Sequence, residues 1–366
     1  NDPVVRCSQV PGKLWVTTGS PAPATRSPCL RLSAKPRSLA ACGLLTDHPL
    51  MKIAVLGNAG SWYVADLQRA AESRGDFCRR IGYDSITAAV GTEASQTVTA
   101  ALPEDAPNHA SSPPGESTAE RLSLNEFDAV IVRTMPPASL EQVVFRMDCL
   151  MTLQRSGVTI LNPPKAVECA VDKYLCTSRL AYAGLPVPRT IVCEDSEAAL
   201  DAYDRLGRDV VVKPIFGAEG RGILRVSDPD LALRTFRTLE RIQAVIYLQE
   251  YIPHEGFDVR VLVLDGGIVG AIRRHNDADF RTNIARRSTA VAHALTDREA
   301  ELAIRSAAAS GARFAGIDLL YRRDGWCAVI EVNAVPGWRA FAAVTGIDVA
   351  ARILDALHGD RGPQNE

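Results

Sequence analysis

Lys213 closes a β-branched run, Val210-Val211-Val212, and is followed by Pro214-Ile215-Phe216-Gly217-Ala218-Glu219-Gly220-Arg221-Gly222. Three glycines in six residues let backbone N–H groups approach an anion closely. The lysine adds a point charge, and the pairing suits a polyphosphate. The segment is not the G-x-x-x-x-G-K-[ST] loop, and a flexible hairpin is the alternative on composition alone. Downstream, Asp324-Gly325 is a turn dipeptide between two apolar runs. If it forms a two-residue hairpin loop, Arg323 pairs with Trp326, and counting outward sets Asp318 opposite Glu331 with Asn333 on the same face. Facing carboxylates repel, so such a pair needs a reason. Two carboxylates and an amide oxygen on one face are hard ligands of the kind Mg²⁺ prefers when phosphate and water complete its shell. The alternative is a solvated face on which Arg322 or Arg323 neutralises the acids.

Elements of two kinds must position these residues. From residue 52 short Val/Ile/Leu runs alternate with helical segments, which predicts α/β layers. Strands are expected at 52–57, 128–133 and 158–161, and helices at 62–74 and 138–156. Residues 91–120, rich in Ala, Ser, Thr and Pro, read as a mobile insertion. The Gly57-Asn58-Ala59-Gly60 turn lacks the G-x-G-x-x-G spacing and reads as a plain strand-to-helix turn. A second block, 185–252, holds strands at 210–213, 223–226 and 245–252, the glycine loop at 217–222 and a helix at 229–241. A third, 258–358, starts with a hairpin around Asp265-Gly266-Gly267. It continues through a helix at 297–310 and the Asp324-Gly325 hairpin to a closing helix at 347–357, with no internal repeat.

With 366 residues there is room for two or three domains, and no apolar run approaches the ~18–20 residues of a membrane span. A soluble, cytoplasmic protein is expected. A formal charge of −2 provides no global field for a nucleic-acid backbone. Nine cysteines without C-x-x-C or paired Cys/His spacing predict reduced thiols rather than zinc. Residues 1–50 carry seven of the 22 prolines, six basic and two acidic residues, and no periodicity, and are expected to be a disordered extension. Met51 reads as the start of the folded protein; the competing reading of the preceding segment, rich in Arg and Ser and poor in acid but without a clear apolar h-region, is a targeting peptide.

Lys213 with its loop, Gln249-Glu250-Tyr251-Ile252, Asp258-Val259-Arg260, Asp279-Phe280-Arg281-Thr282-Asn283 and Glu331-Val332-Asn333-Ala334-Val335-Pro336-Gly337 occur in the order seen in ATP-grasp carboxylate–amine ligases. Within that group the chain resembles the RimK-type α-L-glutamate ligases, through Asp172-Lys173 and a Thr345-Gly346-Ile347-Asp348 start to the last helix as well. The resemblance runs from about 52 to 357. It implies an α/β (α+β) ATP-grasp fold: an N-terminal pre-ATP-grasp domain over 51–164, a central subdomain over 165–252, and a C-terminal subdomain with the metal site over 253–366. It further implies ATP as the nucleotide with Mg²⁺, or Mn²⁺ in its place. Lys173 and Lys213 would contact phosphates under Gly217, Gly220 and Gly222. Glu250, with Gln249, Tyr251 and Ile252 beside it, would take the adenine, and Asp258 would lie near the ribose. Arg281 would face the reacting phosphoryl and carboxylate groups, and Asp318, Glu331 and Asn333 would hold the metal.

The chain departs from that pattern after Asn283, where Ala285-Arg286-Arg287-Ser288 replaces a small or glycine-containing stretch. Arg273, Arg274, Arg281, Arg286 and Arg287 fall within fifteen residues. They read either as a solvated charged face or as a substrate-binding group, Arg273, Asn283, Arg286 and Arg287, selecting a carboxylate or phosphate. The implied activity is addition of L-glutamate to a carboxylate-bearing acceptor, a small cofactor such as tetrahydromethanopterin or a ribosomal protein C-terminus, through an acyl phosphate. The rivals are a ligase for another amino acid and an inactive nucleotide-binding module. Neither nucleic acid nor membrane is an expected partner, and a homo-oligomer is compatible.

Overall fold

The computed structural model describes residues 50–91, 96–101, 121–217, 221–276 and 289–360. Its first strand, β1 (Lys52–Leu56), is buried along four of five residues because both faces are covered. Ile53 and Val55 pack with α1 (Trp62–Glu72), while Ala54 and Leu56 pack with a second helix on the opposite side. A continuous apolar run is what a parallel strand between two helical layers requires. The chain goes on through β2 (Phe77–Ile81), β3 (Ile86–Ala89), β4 (Thr97–Ala101), β5 (Arg121–Ser123), β6 (Ala129–Val132), α2 (Leu140–Arg155) and β7 (Thr159–Leu161). Strands in the order β2-β1-β6-β7 form a parallel sheet. Strands β3, β4 and β5 form a separate antiparallel sheet. Strand β4 lies inside the segment expected to be a mobile insertion, and that expectation is corrected there. Val98 and Ala100 are buried while Thr97 and Thr99 are not, so a period of two runs through small residues whose composition hid it.

Next come α3 (Pro164–Val171), α4 (Lys173–Tyr182), β8 (Thr190–Cys193), α5 (Ser196–Arg205), β9 (Val210–Lys213), β10 (Leu224–Val226), α6 (Pro229–Arg241) and β11 (Ile246–Glu250). The antiparallel sheet β10-β9-β11-β8 is backed by α5 and α6 around Tyr203, Phe236 and Leu248. The last part holds β12 (Phe257–Leu264), β13 (Gly267–His275), β14 (Thr289–Ala292), α7 (Asp297–Ser310), β15 (Phe314–Tyr321), β16 (Cys327–Asn333), α8 (Arg339–Thr345) and α9 (Val349–Gly359). Its five strands are ordered β14-β13-β12-β15-β16.

Alternation gives this five-stranded sheet two unlike faces. Val259, Val261, Ala271, Ile317 and Leu319 meet α7 in an apolar core. On the other face, Leu262, Ile272 and Phe314 join the core of β1, α1 and α9. Further along that same face stand Asp258, Arg260, Arg274, Asp318, Glu331 and Asn333. Among the described residues no helix is long and apolar enough to cross a membrane, and Cys78, Cys149, Cys169, Cys176, Cys193 and Cys327 are free thiols.

Candidate active site

The polar end of that face and the four-stranded sheet bound one cleft, lined among others by Lys173, Lys213, Gly217, Glu250, Asp258 and Glu331. Asp172 ends α3 and caps α4, its carboxylate accepting from the Leu175 N–H at 2.9 Å. This sets Lys173 at the first helical position, where a cation meets the positive end of the helix dipole and an anion would be welcome. The Lys173 ammonium donates to the Gly217 carbonyl at 2.7 Å. Gly217 and Gly222 have φ of 144° and 73°, conformations that a side chain would strain, so the loop needs glycine at both.

Lys213 leaves the end of β9 and donates to Gln249 Oε1 at 2.6 Å. The Gln249 amide in turn donates to Thr190 at 3.0 Å and to the Tyr247 hydroxyl at 3.3 Å, and that hydroxyl lies 3.0 Å from Thr177. This buried string fixes the lysine in place. Burial pulls Lys213 down to about 8, Lys173 acts in the same direction, and Glu331 opposes both. Lys173 is lowered too, by burial against the pull of Glu331 and Asp172. Two cations are thus held together in a poorly solvated cleft with less negative charge than they need, a state a polyphosphate would relieve.

Asp318 is opposite Glu331, as the hairpin count required, but not for the reason given. Arg322 pairs with Trp326 across a three-residue loop, so the two-residue turn is corrected. A bulge between Asp318 and Leu319 then restores the register. The neutralising arginines come from neighbouring strands rather than from the hairpin. Arg260 grips Asp318 through Nε and Nη at 2.7 Å each, and Arg274 reaches it at 3.0 Å. Arg322 pairs instead with Asp324. Burial alone would push the Asp318 carboxyl up, but the two guanidiniums outweigh it and hold it below the usual carboxylate range. Arg274 also binds Asp258 at 2.7 and 2.6 Å, so Asp258-Arg274-Asp318-Arg260 form a chain of alternating charge across three strands.

Glu331, half-buried, makes no hydrogen bond or ion pair with the described residues and faces the two lysines. The Asn333 oxygen accepts from the Val335 N–H at 2.9 Å, and of the Asp318 oxygens Oδ2 is taken by both arginines while Oδ1, with one donor, keeps a lone pair. An all-oxygen set with one uncommitted carboxylate fits Mg²⁺.

The remaining expectations divide. The Glu250 carboxylate is taken by the N–H and Nε of Arg189, both at 2.8 Å, and the N–H groups of Glu250 and Tyr251 go to Arg189 and Asp209 carbonyls. Tyr251 lies under the Arg225 guanidinium at 3.5 Å, and Ile252 is buried at the cleft wall. Arg273 is not brought to this site. It projects from the opposite face of the sheet and stacks on Phe257 at 4.2 Å, because one step along a strand reverses the side chain. Gly220, Arg281, Asn283, Arg286 and Arg287 lie outside the described residues. In the sequence Arg260 stands out only within the Asp258-Val259-Arg260 motif and Arg274 only within the arginine cluster, neither as a partner of Asp318. The Asp258-x-Arg260 spacing, which puts both on one face, was the available signal.

The RimK-like ATP-grasp domain family matches residues 170–357. The tetrahydromethanopterin:alpha-L-glutamate ligase of Methanosarcina acetivorans is 34% identical over 267 residues, 65% of this chain and 82% of the relative. A probable alpha-L-glutamate ligase of Citrobacter koseri is 32% identical over 244 residues, 66% of this chain and 80% of that one. Among solved structures, the ATP-grasp ligase PsnB with its minimal precursor superposes with a TM-score of 0.63 at 22% identity, covering 84% of this chain and 99% of that one. Cleft, sheet pair and sequence agree: this chain belongs to the RimK-like ATP-grasp family, whose members are ligases that form amide bonds.

Proposed function

We propose that this ligase adds L-glutamate to the carboxylate of a small acidic acceptor such as tetrahydromethanopterin, using ATP and passing through an acyl phosphate. The observation that carries the reading is the pair of lysines beside Glu331, with Lys213 held near pKa 8 by burial. Such a cation is set for a polyphosphate bridged to a metal. Relatives bearing the glutamate ligase name at 30–34% identity support the amino acid.

An oxygen of the acceptor carboxylate attacks the γ-phosphorus and ADP leaves. The amine of glutamate then attacks the acyl carbon, phosphate leaves, and an amide remains. Lys173 and Lys213 would neutralise the phosphates beneath Gly217 and Gly222, and Gln249 to Ile252 would line the base side, with Asp258 towards the ribose. Asp318, Glu331 and Asn333 would hold Mg²⁺, which supplies charge neutralisation at the phosphates when bound. Arg281 would act on the moving phosphoryl group, and Asn283, Arg286 and Arg287 would grip the substrates. Catalysis is then positioning plus electrostatics, with no nucleophilic side chain.

The test is incubation of the full chain with ATP, Mg²⁺ and L-glutamate against tetrahydromethanopterin and a ribosomal-protein C-terminal peptide, reading product mass and ADP together. One glutamyl increment per ADP on the pterin is expected. ADP release that depends on another amino acid, or an increment on the peptide alone, would overturn it.

A further inference from the structure

Arg133 follows the last residue of β6, and its N–H donates to the Leu56 carbonyl at the end of β1. The chain leaves β1 through α1 to β2 on one side, while β6 lies on the other. In open α/β sheets such a divergence of strand ends is where ligands bind. The Arg133 residue is only 6% exposed. Its guanidinium lies over the edge-to-face pair of Tyr63 and Trp338 rings, 4.9 Å and 4.3 Å from their centres, and one Nη donates to the Pro336 carbonyl at 2.9 Å. The Nε is buried without a hydrogen-bond partner, and no carboxylate among the described residues pairs with the group. Burial pulls Arg133 down to about 10.

A buried cation without a counterion is costly and is retained where an anion comes to meet it. The surroundings are shaped around it. A Cβ on Gly57 would sit 2.9 Å from Val64 and 3.6 Å from the Arg133 Cβ, and a Cβ on Gly337 would strike the Tyr63 hydroxyl at 2.5 Å. The position also belongs to the ligase face. Pro336 comes three residues after Asn333 and packs on Gly316, the cross-strand partner of Asn333.

We propose that Arg133 is a substrate-binding residue whose free N–H edge takes a carboxylate of one of the two substrates, the amino acid or the acceptor. The inference rests on the ligase reading above. The competing role is a bolt tying the N-terminal sheet to the loop after Asn333.

The experiment uses the full chain as wild type, Arg133→Met and Arg133→Lys. It measures ligand-free melting, then equilibrium binding of L-glutamate and of tetrahydromethanopterin separately in the presence of Mg²⁺ and a non-hydrolysable ATP analogue. Arg133→Met should melt at the wild-type temperature or above, since an unpaired buried charge is gone. It should lose about tenfold or more in affinity for one substrate, as expected for one charge-assisted contact, and none for the nucleotide. Which substrate is weakened tells which carboxylate is held, and Arg133→Lys should recover part of the loss. Unchanged affinity for both substrates would overturn the proposal. If the wild type binds neither, the ligase reading fails, and Arg133 is judged on melting alone: a clear fall in Arg133→Met shows a bolt and overturns the proposal, and no fall excludes the bolt.

Discussion

Asp318 and Glu331 are cross-strand neighbours of the same charge, yet their surroundings make them unlike. Asp318 is 1% exposed and lies between two guanidiniums, whereas Glu331 is half-buried and faces two lysines without touching them. Breaking a buried pair by removing one partner leaves an uncompensated charge. Asp318→Asn should therefore lower stability by about 3 kcal/mol in chemical denaturation. Glu331→Gln should cost under about 1 kcal/mol, as a partly exposed change does, while sharply weakening Mg²⁺-dependent turnover. Equal destabilisation by the two would contradict this division. Lys213 adds a pH signature. Its value of about 8 in the folded chain lies below the ordinary lysine value, so between the two the unfolded state holds a proton that the folded one has released. Stability without ligand should rise with pH across that window, and ATP should reverse the shift by favouring the charged form. Calorimetry at about pH 8.5 in two buffers of different ionisation enthalpy should show proton uptake on ATP binding, and Lys213→Met should abolish it.

The hairpin that carries those carboxylates shows how a sequence count can reach the right pair by a wrong route. The loop Arg323-Asp324-Gly325 has three residues, which shifts the pairing to Tyr321 with Cys327 and Leu319 with Val329. The extra residue Ile330 then shifts it back, so Asp318 meets Glu331. Because a bulge turns two successive side chains the same way, Ile330 and Glu331 both line the cleft. The bulge thus separates the turn from the ligands. Gly325, at φ 88°, is strained by any side chain, so Gly325→Ala should cost about 1 kcal/mol while leaving the Mg²⁺ dependence of turnover unchanged. A shifted Mg²⁺ dependence would mean the turn sets the register after all. Ile330→Ala should do the reverse, raising the ATP KM with little change in melting. Legibility followed the same physics. The helices α6 and α7 fall on the expected residues because Pro229 and Gly311 punctuate strong periodic patterns. Strands β4 and β8 and helices α3, α4 and α5 escaped, being short or built from small and polar residues. The lysines and the metal-side residues were visible as types and spacings. Arg133 was not, and the pairing of Arg260 and Arg274 with Asp318 was not, because it depends on which strand lies alongside.

At the scale of the molecule, the cores do not follow the blocks that the sequence suggests. One core holds Ile53, Val55 and Leu67 of the N-terminal part together with Leu262, Ile272 and Phe314 of the last sheet and Ile353 and Leu357 of α9. Residues some 200 positions apart in sequence thus share one apolar interior, which neither part can bury alone. The ties at its rim are equally long-range. Asp66 accepts from the Trp338 indole at 2.8 Å, and Arg69 donates to Asp348. The four-stranded sheet with α5 and α6 differs, since among the described residues its core is made of residues between 191 and 248. A unit with its own core can open locally without breaking the rest, whereas the two ends of the chain share a core and must stand or fall together. Native-state hydrogen exchange should therefore show β9 and β11 opening at a lower free energy than β1 and β12, with β1 and β12 exchanging as one unit. ATP with Mg²⁺ should raise protection in β9 and β11 most, because a nucleotide held by Lys213 on one side of the cleft and Glu331 on the other would tie the two sides together. Equal protection throughout, unaltered by ATP, would show that the cleft is as rigid as the shared core.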